Sequence, residues 1–469
     1  MNARSLIGNT FVAFLSQGLA LGMSVLSSLL IPKVMGVQEF GYWQLFLFYA
    51  SYVGFFHLGL NDGVYLINGG TPRDAIDKRG IISQYWLGLA FQAVFAVALI
   101  AAALLGPFGE QRGFVICATA VYILLQNSAL YLGYVFQAMN ETRLFSYSII
   151  VERFAFLVPL VWLLATGVDD CRPYVVAYNF SSVCQLAFCM WHARDFLAAG
   201  LEGLPTVTRE ALASVRVGIK LMFANLASQL ILGAARALID AAWGIEVFGK
   251  LSFAISMVTA FLMFVQQVSM VLFPELRQSD AGQVQRFFAA VRDVMSLAFP
   301  AVYLLYYPAV WLLGLWLPDY AESLVFFAFL LPVCVFDSKM DVCGTTFFKV
   351  RREEGRLLAI NLVCITVSTA VSYVGAYLVG NVFVVIGGVV ATLVARSVYS
   401  ERLIARELDL ADGWIWAGEI VITALFIGSV VTLPMAASLI VYAVGYAIFL
   451  WAFRRRVASL MTWFRRRGA

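Results

Sequence analysis

Placing an ionisable side chain at the centre of a bilayer costs about 2.5–3.5 kcal/mol, so each charge inside a long apolar run demands a partner or a task. Arg153 follows Glu152 in the apolar run 145–167, and Arg236 and Asp240 stand four residues apart in the run 218–243. Asp337 and Asp341 repeat that four-residue spacing in 323–346, with Lys339 between them on a different helical face. Asp62 follows Asn61 between Gly59 and Gly63, where glycines loosen a helix and free carbonyls for a cation or a sugar hydroxyl. Arg153, Arg236 and Lys339 have the chemistry to line a cationic pocket for phosphate, because guanidinium groups present forked donors to phosphate oxygens. Asp62, Glu152, Asp337, Asp341 and Asp240 are the carboxylates able to carry a coupling proton or sodium ion. The competing reading pairs these charges with one another or snorkels them to an interface, as expected for Arg396 one turn before Ser400 and Glu401. Among the amides of the apolar runs, Gln17 and Asn225 lie 208 positions apart and offer hydrogen bonds either to sugars or between helices.

The elements that must position these residues are long apolar helices. Hydrophobic residues make up 62% of the 469-residue chain and charged ones 13%, outside the range of soluble domains. The apolar runs are continuous rather than alternating and long enough to cross a hydrocarbon core, which predicts an all-α membrane protein of about fourteen transmembrane helices. With the first residue in the cytoplasm, 24 Lys and Arg fall on the inner side and 4 on the outer, which predicts cytoplasmic termini. The amphipathic stretch Val284, Phe287, Phe288, Val291 is expected to lie flat on the inner membrane surface.

Two echoes divide the chain. Gly36-Val37-Gln38-Glu39-Phe40-Gly41, a polar elbow between apolar runs, returns 208 positions later as Gly244-Ile245-Glu246-Val247-Phe248-Gly249, and Glu141-Thr142-Arg143-Leu144 returns as Glu354-Gly355-Arg356-Leu357 at 213. The expected organisation is an N-terminal six-helix bundle over 1–196, a cytoplasmic linker over 197–217 and a second six-helix bundle over 218–404. An additional helix pair over 414–453 and a basic tail over 454–469 follow. Even-numbered repeats enter the membrane from the same side, so the bundles should be related by a pseudo-two-fold along the membrane normal, with a cavity between them.

The small-residue-rich first run, the elbow Gly36 to Tyr42 and the run ending Leu58-Gly59-Leu60-Asn61-Asp62-Gly63 resemble the polysaccharide transporter family. That family includes the O-antigen flippases and lies in the multidrug, oligosaccharidyl-lipid and polysaccharide exporter superfamily. Met35 stands where the family's elbow has leucine. The resemblance implies a transporter of two bundles in the bacterial cytoplasmic membrane that moves undecaprenyl-diphosphate-linked oligosaccharide between leaflets. Its partners would be membrane lipids and the polymerase and glycosyltransferases of polysaccharide assembly. The Arg-Asp and Pro-Asn pairs usual around the first elbow of lipid II flippases are absent here. A multidrug cation exporter of the same superfamily is the alternative, and intramembrane Arg153, Arg236 and Lys339 count against a cationic cargo. A membrane oligosaccharide polymerase or ligase is the third reading. No nucleophile-base pair, phosphate-cradling loop, metal-ligand spacing or disulfide framework emerges, so neither catalysis, a cofactor, a metal nor nucleic-acid binding is expected.

Overall fold

The computed structural model describes residues 18, 22, 23 and 25–467 apart from 279, 280, 352 and 411–413; for 224, 225, 267–278, 281, 354 and 461–467 it describes the backbone alone. All regular structure among these residues is helical, and ten stretches are long and apolar enough to cross a membrane. The chain forms two compact units, Met1–Leu226 and Ala227–Ala469.

The first unit contains α1 (Val25–Val34), α2 (Val37–Ala50), a 3₁₀ turn (Val53–His57), α3 (Leu60–Asn68), α4 (Lys78–Leu105), α5 (Glu110–Ala138), α6 (Thr142–Ala165), α7 (Cys171–His192) and the one-turn α8 (Arg194–Leu197). The second contains α10 (Ala281–Ala298), α11 (Tyr306–Trp316), α12 (Ala321–Lys339), α13 (Thr346–Val350), α14 (Glu354–Tyr373), α15 (Val382–Glu407), α16 (Ile415–Thr432), α17 (Met435–Ala452) and α18 (Arg454–Arg467). The 75-residue α9 (Leu204–Gln278) passes from one unit into the other, so the stretch read as a linker is helical from Leu204 onward.

Both elbows bend the chain at their first glycine. Gly36 is the extended residue ahead of α2, and Gly244 interrupts α9 with φ 79°, a conformation that a side chain would strain. Phe40 and Phe248, the aromatic residue of each elbow, are fully buried. Glu39 accepts from the Cys171 backbone N–H at 3.1 Å and so satisfies a donor at the start of α7, whereas Glu246 is exposed. The second echo also has a structural basis, one residue out of the sequence register. Glu141 donates its backbone N–H to the Phe136 carbonyl, and Glu353 donates to that of Phe348, both at 2.8 Å, so the repeated turn aligns at an offset of 212.

The expected continuous run 42–67 is broken. Leu58 (φ 48°) and Gly59 (φ 82°) are left-handed and separate the 3₁₀ turn from α3. Glycine is required at Gly63 for a second reason: a Cβ there would run into the Ser214 backbone of α9. Pro300 similarly ends α10, and the Leu297 and Pro300 carbonyls accept from the Tyr446 and Tyr442 hydroxyls of α17, each at 2.7 Å. These bonds fasten the additional helix pair to the second unit. The apolar face around Phe288 packs within that unit rather than lying on a membrane surface: Phe288 is fully buried, its ring 4.8 Å edge-on from Phe347. The two halves of the same amphipathic pattern thus face protein and polar neighbours, which the periodicity alone does not distinguish from a lipid surface.

Candidate functional site

In the first unit, Glu152 and Arg153 are consecutive residues of α6. Glu152 is buried, and its carboxylate lies 3.9 Å from the Arg153 guanidinium. Tyr122 of α5 and Tyr178 of α7 flank the arginine, and they belong to an aromatic wall in which Trp43 stacks on Phe156 at 6.0 Å and Phe46 meets Tyr178 edge-on at 5.6 Å. The Arg153 side chain is 28% exposed, and its Nε has no hydrogen-bond partner among the described residues. It therefore combines a charge with a partly open side.

Arg236 is placed differently. It sits over the Phe248 ring of the second elbow at 5.2 Å and donates to Ser252 Oγ at 2.9 Å, joining the two arms of α9 across the Gly244 bend. Asp240, one turn further along α9, is buried. Gln17 lies outside the described residues, as does the side chain of Asn225.

Lys339, expected to line a phosphate pocket, faces carboxylates instead. It is 1% exposed, with Glu401 of α15 at 2.6 Å, Glu419 of α16 at 2.7 Å and Ser296 Oγ of α10 at 2.8 Å. The string continues through Arg292, 4.0 Å from Glu401 and 3.2 Å from Asp293, to Arg456 of α18, 2.7 Å from Asp293. Three cations alternate with three anions, so the charges balance inside a protein interior where none would be tolerated alone. A diphosphate at Lys339 would have to displace two buried carboxylates. The signal that sequence reasoning missed was Glu419, the acid of the run 414–433, since a membrane-buried lysine needs such a partner.

Arg396, expected to snorkel, is also buried. Its guanidinium is paired with Asp337 of α12 and donates to Asn361 Oδ1 of α14 at 3.2 Å and Ser228 Oγ of α9 at 3.1 Å. Asp341 lies beside Asp337 and Arg396, within the π-helical stretch Met340–Thr345 that follows α12. Arg396 pairs with Asp337, and the Asp341 carboxylate beside them also has Gln266 and Lys349 as neighbours. In the first unit, Asp62 is buried with its carboxylate 4.0 Å from His57 Nε2. The amides nearby bind α5 to the broken helix: Asn127 Nδ2 donates to the Val53 carbonyl at 3.0 Å, and Asn61 Nδ2 donates to the Asn127 carbonyl at 3.1 Å.

A cavity of about 730 Å³ in the second unit lies between α12, α15 and α16; its walls are mostly apolar, with Arg402 and Arg406 at one end, and none of the expected substrate or coupling residues lines it.

A family model described as "Polysaccharide biosynthesis protein" matches residues 6–279. No curated protein matches the chain by sequence. Among solved structures, an inward-facing multidrug resistance MATE family transporter of the MOP superfamily superposes with TM-score 0.61 at 13% identity, over 84% of this chain and 96% of that one. The lipid II flippase MurJ in an inward closed conformation superposes with TM-score 0.56 at 9% identity, over 96% of this chain and all of the other. At these identities the likeness establishes the fold: a multi-pass membrane protein built like the MOP transporters.

Proposed function

Because the chain belongs to the polysaccharide biosynthesis protein family, whose model spans more than half of it, we propose that it flips undecaprenyl-diphosphate-linked oligosaccharide across the bacterial cytoplasmic membrane, with both termini on the cytoplasmic side. The observation that carries the chemistry is Arg153. Its side chain keeps a partly open side beside Glu152 and Tyr178, whereas Lys339 is enclosed by two carboxylates and Arg396 is buried against Asp337. A guanidinium so placed suits a diphosphate oxygen, and the half-buried Tyr178 ring beside it suits the apolar face of a sugar. In the second unit Arg236, with Phe248 holding its guanidinium in place, is a further cation suited to an anionic ligand in this reading.

An inside-negative potential of 100 mV is worth about 2.3 kcal/mol per charge, so a diphosphate carrying about two charges gains roughly 4–5 kcal/mol moving outward. The potential alone has the right sign. If an ion is coupled as well, Asp337 and Asp341 are its place, because two carboxylates stand beside one another there. Asp62, Glu152 and Asp240 are weaker sites: Glu152 is answered by Arg153, Asp62 sits against His57, and Asp240 is one turn from Arg236. The flipped product would pass to a polymerase on the outer face.

The test is polymer assembly in cells whose own copy is deleted. Arg153→Ala at parental protein level should abolish the polymer, with Arg153→Lys recovering part of it. Full assembly by Arg153→Ala would remove the arginine from the mechanism. Resistance to cationic drugs with no effect on polymer would favour the multidrug exporter whose fold the chain shares.

A further inference from the structure

Behind the break between the 3₁₀ turn and α3 lies a small polar cavity, independent of the charges considered above and of any transport reading. Asn61, Tyr85, Gln92, Asn127 and Ser128 line it together with Leu60, Gly88, Leu89 and Tyr131, and the room it leaves for the centre of a water-sized sphere is about 10 Å³. That is the space of one water molecule. Tyr85, Gln92 and Asn127 are each more than nine-tenths buried; Gln92 Oε1 and Asn127 Oδ1 have no hydrogen-bond partner among the described residues, and the Tyr85 hydroxyl, with the Ser128 hydroxyl placed to donate to its oxygen, has no acceptor for its hydrogen. Such unmet polar groups around one cavity are too costly to be left so, since each buried orphan forfeits about 1–3 kcal/mol.

The inventory names the occupant. A hydroxyl offers one hydrogen, and two amide oxygens each require one. Water accepts one hydrogen bond and donates two. A cation would leave the hydroxyl hydrogen without an acceptor, and no carboxylate lines the cavity to balance its charge. We propose that this cavity is the binding site of a single structural water, which accepts from Tyr85 and donates to Gln92 and Asn127. It thereby joins α4 to α5 at the point where Asn127 already holds the Val53 carbonyl of the broken helix.

X-ray radiolytic labelling of the full-length protein in detergent, read by mass spectrometry, tests this, because hydroxyl radicals form at bound waters. Tyr85 should label several-fold faster than Tyr174, a buried tyrosine away from the cavity whose hydroxyl is satisfied by the Val168 carbonyl at 2.9 Å. Gln92→Met, which fills the cavity, should bring Tyr85 down to the Tyr174 rate. Equal rates in the parent protein would overturn the proposal. So would a Tyr85 rate that changes severalfold when sodium is replaced by choline, since the occupant would then be the cation. Should Gln92→Met fail to fold, Asn127→Asp in the same assay keeps the Tyr85 comparison, and a density map near 2 Å resolution without a peak between the three atoms refutes the site by itself.

Discussion

Replacing Lys339 with methionine separates a structural lysine from a substrate-binding one. The substitution keeps the length of the side chain and removes the ammonium group from between Glu401 and Glu419, which are 5% and 0% exposed. Removing one member of a buried ion pair costs about 3–5 kcal/mol, because the partner's charge stays behind without solvent. At roughly 2–4 °C per kcal/mol for a domain of this size, the apparent melting temperature should fall by roughly 6–20 °C. Heating the detergent-solubilised protein and measuring the surviving monodisperse fraction by size-exclusion chromatography reads this directly. The triple variant Lys339→Met, Glu401→Gln, Glu419→Gln leaves no charge stranded and should recover most of the loss. If Lys339→Met instead melts with the parent but no longer supports polymer assembly, the lysine acts on substrate and its assignment to the internal string is wrong.

Three further outcomes are expected. Gly63→Val should prevent accumulation of folded protein, because its side chain meets the Ser214 backbone, whereas Gly314→Ala, with open space at its Cβ, should be neutral or stabilise by about 0.5–1 kcal/mol; comparable yields of the two would contradict the close approach of α3 and α9. Asp195, in the connection after α7, is opposed by burial, yet Lys78 and Arg73 at 2.9 Å hold its carboxyl below the usual carboxylate range. Its contribution, about 1 kcal/mol at this partial exposure, is complete above about pH 4 and is lost as pH falls through the lowered value, so parent and Asp195→Asn should differ in melting temperature at pH 7 and converge in strong acid. Arg396→Met should destabilise while Arg396→Met with Asp337→Asn recovers; a single variant indistinguishable from the parent in thermal stability would show the pair to be dispensable.

The helical membrane fold was legible because it rests on run length and composition, which need no knowledge of tertiary neighbours. The elbows were legible for the same reason, since Gly-x-x-x-Phe-Gly marks a bend and a buried ring in both halves. Two features were not. The break at Leu58 and Gly59 follows from the backbone of α3 meeting that of α9, a contact between segments more than 150 residues apart. The fate of each intramembrane charge was equally hidden, because Lys339 and Arg396 read as isolated cations until the fold brings Glu401, Glu419 and Asp337 to them. Hydropathy registers that a buried charge must be answered; it does not say by which helix.

The internal charge string also bears on how this chain can be cut or recombined. Deleting everything after α15 would remove Glu419, Arg456 and the two tyrosines that cover the Leu297 and Pro300 carbonyls. A version truncated after α15 would thus expose bare carbonyls to acyl chains and would not be a smaller working protein. Chimeras that exchange the last helices with those of a relative should assemble only when Arg292, Asp293, Lys339, Glu401, Glu419 and Arg456 travel together or find equivalents on the other parent.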